Sequence, residues 1–243
     1  MIRAVIESYT IDQNQRNADE DDQLVKKLQE EVRIVDVVVS ALTVYHELVR
    51  QKMKTMESVG TFYEQVFVGS SSHEQTIQAL LSLLEYLLSS NAVCLGVHNI
   101  KLLWQIFVEE PNYTLEQSVF LNWINNANED NNNQYVRQTE MFTTDEKKFL
   151  FTEILCKSVV RTNASLPLAK CFNHYFKQIN RASKTLKITP KRSRVTDFSG
   201  LTGLHSLWEI SLKAENAKVR ELCSNLLVEM HLKLEEPDDQ ITT

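Results

Sequence analysis

Glycine and proline are scarce in this chain, 5 and 4 among 243 residues, roughly a third of ordinary usage for each. Hairpins and barrels need glycine-rich turns, so the shortage argues against a sheet protein and for helices with short joins. A phosphate-cradling loop also has little material to use, and no P-loop, dinucleotide fingerprint or zincin helix occurs. Long apolar runs are missing too. The most apolar stretch, "ALLSLLEYLL", is half of the roughly 20 residues that cross a bilayer, and it carries Glu85. The start "MIRAVIESYTIDQNQR" lacks a secretory apolar region. The four cysteines lack the tight spacing of a disulfide framework. A cytoplasmic location is expected. Positive charge is short as well: the net charge is −6, which gives no general attraction to nucleic acid or to an anionic membrane.

What the chain has is helical periodicity. Leu24, Leu28, Val32, Val35, Val39, Leu42, His46 and Val49 recur three or four residues apart, the stripe of one amphipathic helix or of two nearly end to end. "VRIVDVVVS" within it has strand propensity, but the period on both sides favours helix. Ser71-Ser-His-Glu74, Thr114-x-x-Gln117 and Thr143-x-x-Glu146 match the capping box. Ser165 with Pro167 just inside marks another helix start. "NNANEDNNNQ" reads as a solvated loop. Positions 1–18 read as a polar leader, 19–234 as a helical segment with a basic loop at about 181–199, and 235–243 as a tail. Seven to nine helices and no strand are expected.

One shape occurs twice. Leu103-Trp104 and Leu207-Trp208 each precede an Ile two residues on, then a polar turn and a second apolar stripe. Superposing the tryptophans pairs Ile106 with Ile210, Leu115 with Val219, Val119 with Cys223, Trp123 with Leu227 and Ile124 with Val228. Each copy reads as a helical hairpin whose apolar seam needs neighbouring hairpins to cover it. Stacked hairpins make an armadillo/HEAT-like α-solenoid, the all-α fold class expected here; a compact bundle with two similar hairpins is the alternative.

Candidate chemistry is thin. Cys94-x3-His98 and Cys171-x2-His174 each resemble half a zinc site, but no two halves have finger or ribbon spacing. The histidines are expected at the edge of the helical seam and the cysteines as small buried groups. A thiol hydrolase would need an activated thiolate and a glycine-containing oxyanion turn. Cys156, Cys171 and Cys223 lie in helical patterns without glycine, and Cys94 has Gly96 nearby but no motif. No catalytic, cofactor-binding or metal residue is therefore assigned. The stretch from Lys177 to Arg194 holds seven Lys or Arg and no acid; without interleaved aromatics it reads as a solvated loop. Thr189-Pro-Lys-Arg192 has the look of a proline-directed phosphorylation site. Trp104, Trp123, Phe149, Phe172, Phe176 and Trp208 read as core.

The order "HEQTIQALLSLLEYL", "NIKLLWQIFVEE", "FLNWI", "MFTTDEKKFLFTEIL", "LPLAKCFNHYFKQIN" and "GLTGLHSLWEISLKAENAKVRELCSNLLVEMHLKL" resembles the helical region of the giant ubiquitin-specific proteases of the fat-facets type. The resemblance covers roughly residues 73 to 234, and the first 70 residues match only in being helical. It implies an armadillo-like scaffold outside the catalytic domain of a large cytosolic thiol-dependent deubiquitinase. Its expected partners are proteins: ubiquitinated substrates or regulators, and the parent's own protease domain. That family's Gly-Asn-Thr-Cys box and later His box do not occur here, so no catalytic residue carries over. The apolar start "MIRAVIESY" agrees with a piece of a longer protein. A stand-alone helical-repeat adaptor is the alternative, separated from the first reading by the coding sequence on either side.

Overall fold

The computed structural model describes residues 18–54, 66–68, 71–90, 92–126, 141–161, 164–189, 192–195 and 198–231. The expected leader (beyond its last residue), the tail and most of the "NNANEDNNNQ" loop lie outside them. The chain divides into two compact units, Met1–Thr143 and Thr144–Thr243.

The first unit holds α1 (Ala18–Val32), α2 (Ile34–Lys54), strands β1 (Val66–Val68) and β2 (Ser71–Ser72), α3 (His73–Leu88), α4 (Val97–Trp104) and α5 (Thr114–Asn126). The valine-rich stretch is helical. A strand would align Val35, Val37 and Val39, whereas the chain buries Val35, Val38, Val39 and Leu42 and exposes Val37, a 3.6-residue period. The long stripe breaks at Arg33, whose φ of 52° is left-handed and costs roughly 1–2 kcal/mol for a residue with a Cβ. Gln29 offsets this at the junction: its carbonyl accepts from the Arg33 amide at 3.0 Å and its Oε1 from the Val35 amide at 3.2 Å.

The capping box of α3 lies one residue later than the sequence pattern placed it. Ser72, not Ser71, is the N-cap; its hydroxyl accepts from the Gln75 amide, and Gln75 Oε1 accepts from the Ser72 amide at 2.9 Å. Ser71 instead pairs with Val68 in the β1–β2 ladder. Thr114 is the first residue of α5 rather than its cap, and Gln117 donates to the Val108 carbonyl. α4 runs directly into a π-helical turn, Gln105–Glu109. That wider turn carries three consecutive apolar residues, Ile106, Phe107 and Val108, into the core. Trp104, Phe107, Phe120, Trp123 and Phe142 form a continuous cluster of ring contacts, some stacked and some edge-on, at centroid separations of 5.1–6.4 Å.

The second unit holds α6 (Thr144–Phe149) continuing through a π turn (Leu150–Leu155) into α7 (Cys156–Arg161), then α8 (Leu166–Ala182), strands β3 (Leu186–Thr189) and β4 (Arg192–Val195), α9 (Leu204–Lys213) and α10 (Ala217–His231). Ser165 caps α8 as its spacing predicts, accepting from the Leu168 amide with Pro167 in the first turn. The expectation of no strand is corrected twice, by β1–β2 and by β3–β4. The second pair falls inside the basic loop, where Leu186 and Val195 sit opposite one another and are buried. Two apolar anchors in register are what turn a charged loop into a hairpin. Asn180, fully buried, ties the return from that hairpin to α8. Its Nδ2 donates to the Phe176 and Thr202 carbonyls, and its Oδ1 accepts from the Thr202 amide at 2.8 Å.

The two hairpins are both present, but their buried faces differ. Ile106 and Ile210 are buried alike. Trp104 exposes 2% of its surface and Trp208 42%, while Ile124 is buried and Val228 exposed. Trp208 is therefore not a core residue. The apolar face of α9 turns inward through Leu207 and Ile210, and Trp208 and Leu212 lie on its other side. Phe149 is half-buried; Trp123, Phe172 and Phe176 are core as expected.

Candidate functional site

Three kinds of feature could carry function: a buried polar network, the thiols, and the exposed faces of helices.

The network lies in the first unit. Glu116 on α5 is 1% exposed. Its Oε1 is 2.9 Å from His73 Nε2, at the start of α3, and its Oε2 accepts from the Asn112 amide at 2.6 Å. His73 Nδ1 stands 3.0 Å from the Tyr45 hydroxyl on α2. With Glu116 a carboxylate and His73 a neutral imidazole, His73 donates through Nε2 and Tyr45 donates to Nδ1. Tyr45 suits that role, because burial, with the Glu116 charge adding to it, pushes its hydroxyl up to about 12. Beside them, His46 Nδ1 lies 3.6 Å from Glu116 Oε2. Both His46 ring nitrogens face donors, Arg50 Nη2 at 3.2 Å and Asn112 Nδ2 at 3.1 Å. A neutral imidazole can accept from one of them and a protonated one from neither. Burial and the Arg50 charge accordingly lower its pKa, against the opposing pull of Glu116. Arg50 extends the network to the surface by donating to the Glu110 carbonyl and carboxylate. The atoms of this Tyr–His–Glu chain are spent on one another, so it locks α2, α3 and α5 together rather than offering a base to a substrate.

The sequence pointed to part of this. His46 stood on the apolar stripe, which correctly placed it inside. His73 and Glu116 fall inside two capping patterns, whose spacing signals a helix start but carries no information on what these side chains meet.

Three of the four thiols are poor nucleophiles. Burial pushes Cys156 up to about 11 and Cys223 up to about 12, and it raises Cys171, which is fully enclosed, further still. A thiol held protonated at neutral pH does not attack. Cys94 is exposed rather than buried, as is its neighbour His98, because both lie at the open start of α4. Cys171 is in the core while His174 stacks edge-on against Tyr175. Among the described residues no group of three or more His, Cys, Asp or Glu is placed to hold a metal, and no helix is long and apolar enough to cross a membrane. Thr189 stands opposite Arg192 in the β3–β4 ladder.

The helix faces are more telling. On α2, Val37, Val44 and Leu48 are all more than half exposed and, seven and four residues apart, share one side of the helix. The stripe adjoins a groove of about 490 Å³ lined by Val32, Val37, Asp36, His98 and Leu102. A second groove, of about 570 Å³, runs between α3 and α5. In the second unit Trp208, Leu212 and Val228 are exposed. Apolar side chains grouped on an open helix face offer area against which another surface can pack.

Residues 1–180 match the family model described as the UBP24/USP9X/USP9Y ARM repeat. The chain belongs to this family. Its fold class is thereby all-α and armadillo-like, and the family match takes in the first 70 residues, which the resemblance had left aside. Three relatives agree. Human ubiquitin carboxyl-terminal hydrolase 9Y is 24% identical over 214 residues, mouse ubiquitin carboxyl-terminal hydrolase 9Y 25% and mouse ubiquitin carboxyl-terminal hydrolase 9X 24% over the same length. Each alignment covers 87% of this chain and 8% of the relative. The similarity is thus to a small, non-catalytic armadillo-like part of ubiquitin hydrolases.

Proposed function

We propose that this chain is a non-catalytic helical scaffold segment of a large cysteine-type deubiquitinase. It binds proteins, among them ubiquitinated substrates or regulators, and positions the parent's protease domain in the cytoplasm. The observation that carries this reading is the family match over residues 1–180 to an ARM repeat of deubiquitinases, joined to relatives named ubiquitin carboxyl-terminal hydrolase. Exposed apolar helix faces supply the binding surface, and a preformed helical array presents it at little ordering cost. The net charge of −6 supports proteins over nucleic acid or an anionic membrane as partners.

The test compares the full-length parent with a version lacking this segment. Release of a small fluorophore from ubiquitin should change less than about twofold, since the chemistry is elsewhere. Removal of ubiquitin from a protein conjugate should slow about tenfold or more, a binding loss of about 1.4 kcal/mol. Equal loss in both assays, or in neither, contradicts the proposal. So does an endogenous polypeptide of only 28.1 kDa, which would make the chain a free-standing adaptor.

A further inference from the structure

Deepening the protein-binding reading, on which this step rests, we propose that the groove between α3 and α5 is a site for an extended basic peptide segment. Among the described residues, the groove's only charged lining groups are the acids Glu74 and Glu85. Glu74 accepts from Gln78 at 2.9 Å, whereas the Glu85 carboxylate has no cationic partner among the described residues. Partial burial of its carboxyl pushes its pKa up, although the residue as a whole stays exposed, and the charge of a bound Lys or Arg would favour the carboxylate against that cost. Trp123 also lines the groove. It is 7% exposed, and its indole N–H is buried without a hydrogen-bond partner among the described residues. An unpaired buried donor costs about 1–3 kcal/mol, which a peptide carbonyl reaching it on a small shift of the ring would recover.

The spacing favours an extended chain over a helix. Asn122 and Asn126 lie four residues apart on α5 and both line the groove, so their side chains repeat at about 6 Å along the axis. An extended peptide repeats every two residues at about 6.6 Å. Successive carboxamides can therefore meet alternate backbone amides of one strand, giving affinity without demanding a particular sequence. The acids of the α3 wall then select a basic side chain on that strand.

The experiment uses the whole 243-residue chain labelled with nitrogen-15 and three capped octapeptides of glycine and serine. They carry two central lysines, two glutamines or two glutamates. The indole N–H signals of the three tryptophans are followed during titration. The basic peptide should shift the Trp123 signal saturably, and binding should be about tenfold weaker for the glutamine peptide and absent for the glutamate peptide. Glu85→Gln, a substitution on the surface, should abolish the preference for lysine, and Asn122→Ala should weaken the lysine and glutamine peptides equally. A Trp123 signal that never moves, or a shift as large with the glutamate peptide, overturns the site. If the groove variants leave peptide binding untouched while deleting the segment still slows conjugate cleavage by the parent, this site is wrong and the scaffold reading stands.

Discussion

Replacing Glu116 by alanine should unfold the first unit far more easily than the loss of one surface-distant carboxylate suggests. Glu116 accepts two hydrogen bonds inside the fold, from His73 Nε2 and from the Asn112 amide. Bonds to a charged acceptor contribute about 1.5–3 kcal/mol each, and donors left unpaired in the interior cost their full desolvation. Relief of the carboxylate's own burial offsets part of this, leaving a net loss of about 3 kcal/mol. With a urea dependence near ~2 kcal/mol per molar, the midpoint should fall by ~1.5 M. Tryptophan fluorescence is the assay of choice, because Trp104 and Trp123 are buried in the first unit and Trp208, in the second, is exposed. Glu116→Gln separates the mechanism from a plain packing loss. Its carboxamide oxygen can accept from Asn112 while its NH2 donates to His73, provided His73 shifts its proton to Nδ1 and donates to Tyr45. Glutamine should therefore cost less than half as much as alanine. A loss below about 1 kcal/mol for alanine, or equal losses for the two, would mean that Glu116 does not hold His73 and Asn112 in this way.

Other outcomes follow from single contacts. His46 has a folded pKa below its ordinary 6.5, so its contribution to stability is full above pH 6.5 and is lost as pH falls from there toward the folded value. Urea midpoints at pH 7.5 and 5.5 should show a drop that His46→Gln reduces; a drop unchanged in that variant excludes His46 as its source. Gly203 has φ +82°, and a Cβ there would lie 2.6 Å from Phe151 Cζ. Gly203→Ala should cost the second unit about 2–4 kcal/mol through left-handed strain and overpacking, read as a fall in the melting temperature. Ser165→Ala removes the α8 cap and should cost about 1 kcal/mol, visible as faster amide exchange at Leu168.

Much of the fold was legible because burial imposes a period. The stripe through α2, the helix opened by Ser165 and the two Leu-Trp hairpins were all set by spacing along one chain segment. Where the reading failed, partners distant in sequence decided the outcome. Glu116 lies 43 residues from His73 and 70 from His46, and periodicity shows that a side chain goes inside without showing what it meets there. The π turns escaped because an extra residue per turn leaves the apolar composition unchanged. Trp208 departs from expectation for a different reason: its copy Trp104 is core, but matching sequence does not impose matching burial. Leu186 and Val195 were overlooked among the basic residues that separate them.

In the function proposed above, exposed helix faces and not thiols carry the role of this chain. Mixing the isolated chain with ubiquitin carrying a thiol-trapping group at its C-terminus, and weighing the product by mass spectrometry, tests it most directly. The expected product is the unmodified chain at 28.1 kDa, since burial keeps Cys156, Cys171 and Cys223 protonated and the sequence around Cys94 carries no thiol-protease motif. An adduct that forms at stoichiometric yield and disappears with one Cys→Ala substitution would contradict it.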